Sequence, residues 1–299
     1  MLIVGNLLLI NMDWLGRSNM NEPKITAIFV IYNKEIDNSS VCIQIKNLVD
    51  VIVVDNSTNK NNNKETCDKY SIKYISMNGN KGLSKAYNVA IDSIESTDAI
   101  VLLDDDTDVP EDYFILLKKH LLDYPDTDII VPIVRGQDGI IYSPNNYRFL
   151  KNDLVINPKE QVQQKSFNAI SSCMMIRMSV FDDYRFNELL FVDEIDHCFC
   201  REQRERGKKF AIVDLEVKQN FHQRADYISP DLAWKRVRIR LIDIFNYARI
   251  IGSIKYIILA FVKTCGISIQ IGKKSKSLMV FLKAIILSCK LLLIPGKVK

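Results

Sequence analysis

Residues 98–110 read DAIVLLDDDTDVP. The apolar run 99–103 is short and bounded by charge, which fits a strand buried on both faces. At its end stand Asp104, Asp105, Asp106 and Asp108. Carboxylates packed this closely repel one another unless a cation neutralises them. Along an extended segment alternate residues face the same way, so Asp104 and Asp106 point together and Asp105 points elsewhere. Oxygen ligands of this kind suit Mg²⁺ or Mn²⁺, which bridge protein carboxylates to phosphate oxygens. A calcium-binding EF-hand loop would need Gly and Glu where Val109 and Ile115 stand. A phosphatase-type motif would need Thr or Val at Asp108. A solvated acidic turn capping the next helix also accounts for the charges, but the strand-end position weighs against it.

The same pattern recurs outward from this stretch. Residues 25–32 and 50–55 are β-branched apolar runs, 72–76 and 128–134 are further strand candidates, and helices are predicted over 83–93 and 111–122. This alternation predicts a parallel α/β sheet. Asn33, Asp55 and Asp104 each follow the carboxyl end of a strand, the edge where open α/β sheets bind ligands. No Gly-x-Gly-x-x-Gly follows the first strand and no Walker A lysine motif occurs, so dinucleotide and P-loop sites are unsupported.

The chain has 299 residues, 47% of them hydrophobic, and a formal net charge of +4. That charge is unevenly spread: residues 231–299 carry 14 Lys and Arg against two Asp, which leaves the rest net acidic. Three segments follow: a leader over 1–23, an α/β domain over 24–230 and a basic, apolar helical tail over 231–299. The leader's apolar stretch 2–10 lacks a basic flank and is too short to span a bilayer. In the tail, Lys276, Lys283, Lys290 and Lys297 recur every seven residues between apolar blocks, the pattern of a helix lying in a membrane interface with snorkelling lysines. The apolar segment 256–262 is too short to span alone. The expected partner is thus a membrane surface and not nucleic acid. The seven cysteines show no zinc-type spacing and read as free thiols of a reducing compartment.

Five stretches in order carry a family resemblance: Tyr32-Asn33, Asp55-Asn56-Ser57, Asn80-x-Gly82-x-x-x-Ala86-x-Asn88, Leu102 to Asp106, and Phe191-Val192-Asp193-Glu194-Ile195-Asp196. Together they resemble the family 2 inverting glycosyltransferases of the GT-A fold, in the bacterial rhamnosyltransferase-like branch. The resemblance implies a Rossmann-like mixed sheet flanked by helices. It implies that Tyr32, Asn33, Asp55, Asn80, Gly82, Asp104 and Asp105 bind the donor nucleotide. It implies that Asp104 and Asp106, with His222, hold the metal, and that Asp193 or Glu194 is the catalytic base, Asp193 being favoured. If a helix starts there, Asp193 is also a natural N-cap, and Asp196 lies one turn on. Arg201 and Arg204 are expected to pair with Glu194, Glu205 or Asp196.

The expected activity is metal-dependent inverting transfer of a hexose or deoxyhexose from a UDP- or dTDP-sugar to a glycan or lipid-linked acceptor. It fits surface polysaccharide biosynthesis, with the protein cytoplasmic and peripheral at the inner face of the cell membrane. A sugar nucleotidyltransferase and a non-catalytic carbohydrate- or nucleotide-binding protein are the alternatives. The first wants a basic Gly-rich loop after strand one, where Asn33-Lys34-Glu35 stands.

Overall fold

The computed structural model describes residues 22–104, 107, 109–110, 112–149, 151–219 and 227–294. Its first half alternates as β1 (Ile25–Ile31), α1 (Val41–Gln44), β2 (Asp50–Asp55), α2 (Asn63–Lys69), β3 (Lys73–Ser76), α3 (Leu83–Asp92), β4 (Ala99–Leu103), α4 (Tyr113–Asp123) and β5 (Ile129–Gly136). The short β6 (Ile141–Ser143), β7 (Asn145–Arg148), β8 (Lys151–Asp153), α5 (Pro158–Gln161) and β9 (Phe167–Asn168) follow. The chain continues through β10 (Met174–Arg177), α6 (Ile195–Glu205) and β11 (Phe210–Gln219), then α7 (Pro230–Ile251), α8 (Ile254–Lys274) and α9 (Leu278–Leu293). The leader, apart from residues 22 and 23, lies outside the described residues.

The main sheet runs β11-β5-β10-β4-β1-β2-β3, with β6 paired to β5. Strands β3, β2, β1 and β4 are parallel neighbours. The sheet is mixed because β10 enters antiparallel between β4 and β5. Strand–helix alternation predicts the parallel strands, the resemblance implies a mixed sheet, and β10 is antiparallel for a topological reason. It is reached from β9, which belongs to a second, three-stranded sheet, without the crossover helix that a parallel return requires.

Successive residues of a strand face opposite ways, and here both faces are buried. Ile28, Ile52, Val54, Ile100 and Leu102 face one cluster. Ala27, Phe29, Val51, Val53, Val101 and Leu103 face the other, with Tyr113, Phe114 and Leu117 of α4 over them. Val237, Leu241, Ile244, Phe245 and Ala248 of α7, Ala260 of α8, and Ala284 and Leu291 of α9 join the first cluster. The change of composition near residue 231 is therefore carried by the outer surface, while the inner sides of the three helices share the core. In the tail, 256–262 lies inside a single 21-residue helix, α8, which continues through Lys263 and the fully buried Thr264.

Candidate active site

Three loops are locked together at the carboxyl edge of the sheet. Asp55, at the end of β2, is buried and accepts from the Ser57 N–H (2.8 Å), Asn61 Nδ2 (3.0 Å), Asn63 Nδ2 (3.1 Å) and the Tyr74 hydroxyl (3.0 Å). Burial alone would raise its pKa; the Ser57, Asn63 and Tyr74 hydrogen bonds overcome this and hold it below the ordinary carboxylate value. Asn33, in the left-handed region, receives the backbone N–H groups of Thr58 (2.9 Å) and Asn59 (3.0 Å) on its Oδ1. Tyr32 beside it is half exposed.

Asn56 ties this loop to the next. Its Nδ2 donates to the Gly82 carbonyl (3.1 Å) and its Oδ1 accepts from the Lys81 N–H (2.9 Å). Asn80 Oδ1 in turn accepts from the Gly82 N–H (3.2 Å). Gly82 has φ +93°, and an added Cβ would stand 2.8 Å from Phe191 Cδ2. A side chain is excluded there twice over, by conformation and by contact. The Leu83 N–H that opens α3 donates to the Phe191 carbonyl (2.6 Å), which joins the 80–82 turn to the loop before α6.

That loop is anchored from α7. The fully buried Asp243 accepts from the backbone N–H groups of Phe191, Val192 and Asp193, each at 2.9 Å. Asp193 itself is gripped by Arg236, which reaches Oδ1 at 2.9 Å and also bonds Oδ2. Glu194 caps α6 with φ 64°, a left-handed conformation costing about 1–2 kcal/mol. Its carboxylate bonds His197 Nδ1 at 2.7 Å. Burial alone would raise the Glu194 pKa, but the hydrogen bond and charge of His197, with Lys263 and Arg240 nearby, hold it below its ordinary value. Burial alone would lower that of His197, and Glu194 instead raises it.

The two carboxylates read from the sequence as base candidates are thus each held by a basic side chain, Asp193 by Arg236 and Glu194 by His197. The third acid of the segment, Asp196, lies in the first turn of α6. Burial pushes its pKa up to about 6, and the charge of Asp104 adds to the shift. Ser171, through hydroxyl and backbone N–H, hydrogen-bonds Asp196 and holds the rise in check. The fully buried Tyr87 of α3 completes this group; burial first, then Asp104 and Asp196, raise its pKa well above the ordinary value.

Asp104 follows β4 directly. Its Oδ2 accepts from Gln219 Nε2 at the end of β11 (3.0 Å) and from the Ser172 hydroxyl. Toward a divalent cation Asp104 offers one carboxylate, and among the described residues no group of three or more His, Cys, Asp or Glu side chains could hold a metal. Gln219 Oε1 and the Thr107 hydroxyl are buried there without a partner among the described residues. Asp105, Asp106 and His222 lie outside the described residues. Asp196, Ser171, Ser172 and Gln219 are what sequence reasoning missed as site residues. Of the two arginines expected on the face of α6, Arg201 pairs with Glu205 (2.8 Å), while Arg204 instead bonds the Phe167 carbonyl and lies over the Tyr147 ring.

A family model for glycosyl transferase family 2 matches residues 30–185, just over half of the chain. The chain belongs to glycosyl transferase family 2. The low-salt glycan biosynthesis hexosyltransferase Agl10 of Haloferax volcanii is 30% identical over 211 residues, 66% of each protein. The dTDP-rhamnosyl transferase RfbF of Shigella flexneri is 29% identical over 184 residues, 59% of this chain and 62% of that one. The match spans just under two thirds of each relative's length. Among solved structures, GalNAc-T7 with UDP, GalNAc and Mn²⁺ superposes with a TM-score of 0.53 at 14% identity, covering 91% of this chain and 59% of that one. Staphylococcus aureus TarS 1–349 in complex with UDP gives 0.50 at 16% identity, covering 88% and 81%. At these identities the likeness is one of fold, the GT-A arrangement of a mixed sheet between helices.

Proposed function

We propose that this glycosyltransferase moves a hexose or deoxyhexose, rhamnose-like, from a UDP- or dTDP-sugar to a glycan acceptor with inversion, in surface polysaccharide biosynthesis. The observation that carries the reading is that the adjacent Ser171 and Ser172 reach Asp196 and Asp104 respectively at the carboxyl edge of the sheet. A base must be ionised near neutral pH and still bind a proton, and a carboxyl at about 6 meets both demands. The carboxylate of Asp196 accepts the proton of the acceptor hydroxyl as its oxygen attacks the anomeric carbon. The bond to the diphosphate breaks on the opposite face, and the leaving group keeps the electron pair.

In this reading Asp193 and Glu194 are positioning residues for the base. Arg236 and His197 hold them, and they fix the turn from which α6 departs. Asp104, with Asp106 and His222, would hold Mg²⁺ or Mn²⁺, which supplies neutralisation of the diphosphate charge. Tyr32, Asn33, Asp55, Asn80, Gly82, Asp104 and Asp105 would bind the donor nucleotide, Asp55 reading its base. Support for the donor class comes from the dTDP-rhamnosyl transferase among the relatives and the UDP in a structural neighbour. The acceptor we assign is a lipid-linked glycan, met by the cytoplasmic protein at the inner face of the cell membrane.

The test is product analysis with dTDP-rhamnose and UDP-hexoses on a lipid-linked acceptor. Transfer by wild type and none by Asp196→Asn, with donor binding kept, is the expected result. Undiminished transfer by Asp196→Asn overturns the assignment of the base.

A further inference from the structure

We propose that α8 and α9 form a hairpin that docks in the interface of an anionic bilayer, with their outer apolar sides in the lipid and their lysines among the headgroups. This deepens the membrane-proximal reading above by naming the docking surface, and it can fail or stand independently of sugar transfer.

The hairpin is built inside out. Where α8 and α9 pack on each other and on α7, the buried residues of α8 are small or hydroxylated, Ala260, Thr264 and Ser268, and α9 buries Ala284 and Ser288 together with Val280 and Leu291. These recur every three or four residues, along one side of each helix. Gly272 belongs to the same close packing, since an added Cβ would stand 2.7 Å from Phe281 Cβ. Several large aliphatic side chains point the other way, while Ile257, Ile267, Ile271 and Leu287 pack against the core. Ile258 is 53% exposed, Val262 63%, Leu278 71% and Leu293 80%, with Ile269 and Ile286 also exposed. Helices that fold in water put large apolar groups inside; small residues between helices and large aliphatics outside are what an apolar surrounding selects. Because α7 contacts both helices, the exposed sides are those turned away from the catalytic body.

Charge selects the kind of surface. Residues 254–294 contain seven lysines and no Asp or Glu. Lys273, Lys274 and Lys276 cluster at the hairpin turn, and Lys283 lies over the Trp234 ring of α7, 5.7 Å from its centroid. Lysines with long apolar stems beside a tryptophan are suited to the headgroup layer, and each basic group near an anionic leaflet adds to binding. The hairpin lies on the bilayer and does not cross it. By length and composition α8 is able to span. Its partner α7, however, carries Asp243 and Arg236 of the catalytic loop anchor, and burying those groups in lipid would be costly.

The experiment is flotation of the full chain with vesicles of phosphatidylcholine alone or mixed with phosphatidylglycerol, with circular dichroism to confirm that each variant is folded. Wild type is expected to float with the anionic vesicles and about tenfold less with the neutral ones. The exposed-site variant Ile258→Glu/Val262→Glu/Ile286→Glu is expected to stay folded and lose flotation about tenfold or more. Lys273→Glu/Lys274→Glu/Lys276→Glu should lose the preference for anionic lipid. A folded wild type that floats with neither vesicle overturns the proposal, as does a triple-Glu variant that floats like wild type. A wild-type dimer that floats with neither vesicle and that the triple-Glu variant converts to monomer also overturns it, assigning the face to a second copy. Donor binding by the same variants reports separately on the catalytic reading.

Discussion

Arg236 of α7 grips Asp193 of the catalytic loop, its guanidinium reaching both carboxylate oxygens across 43 residues of chain. About two turns further along α7, Asp243 takes the backbone N–H groups of Phe191, Val192 and Asp193. The helix that opens the basic tail is thus also the clamp that sets where α6, and with it Asp196, begins.

Asp243→Ala should leave three part-buried backbone donors without their partner, each costing up to roughly 1–3 kcal/mol. Denaturant unfolding is expected to give a loss of about 3 kcal/mol. A loss within about 0.5 kcal/mol would mean the loop is held by something else.

Asp196→Asn keeps size and hydrogen-bonding capacity but removes the proton acceptor. Loss of a general base is expected to lower kcat by about 100- to 10,000-fold with the donor dissociation constant little changed. In wild type, protonation of Asp196 removes the base, so transfer should fall as pH drops through about 6 and level off above it. Steady-state rates across that range, paired with a donor titration at each pH, separate the base from a general acid transition.

Gly82→Ala forces a side chain into a left-handed backbone site against Phe191. The conformational term alone is about 1–2 kcal/mol, and relief of the contact moves the 191–193 loop. Lower thermal stability together with a lower kcat is expected, because the donor turn and the base loop meet at this glycine. A stability loss with kcat unchanged would separate the two.

The Glu194–His197 pair makes stability depend on pH. The folded His197 pKa lies above its ordinary 6.5, so its contribution is full below 6.5 and is lost as pH rises through the folded value. The folded Glu194 pKa lies below its ordinary 4.5, so its contribution is full above 4.5 and is lost as pH falls through the folded value. The pair therefore contributes most between 4.5 and 6.5. Thermal unfolding should show the gap between wild type and His197→Gln narrowing as pH rises above that window.

Much of the fold was legible because it is written locally. The β-branched runs of β1, β2 and β4 announce buried strands, and Asn33, Asp55 and Asp104 mark the edge where they end. What was hidden depends on topology or on single residues. The antiparallel insertion of β10 brings Ser172 beside Asp104, and β11 brings Gln219 there from 115 positions away, which no local pattern encodes. Asp196 was noticed only as a helix neighbour of Asp193. The left-handed Glu194 turns the chain before the helix begins and gives the two acids different surroundings. In the tail, the four-residue spacing of Ala260, Thr264 and Ser268 was readable, but not that this small-residue side faces inward.

The most direct test is calorimetric binding of UDP and dTDP, with and without Mn²⁺, to wild type and to Asp104→Ala. The expected result is Mn²⁺-dependent binding of at least one nucleotide to wild type, lost in Asp104→Ala, with Asp196→Asn binding like wild type. Folded wild type that binds neither nucleotide, or Asp104→Ala that binds as well as wild type, would contradict a donor site at the carboxyl edge of this sheet.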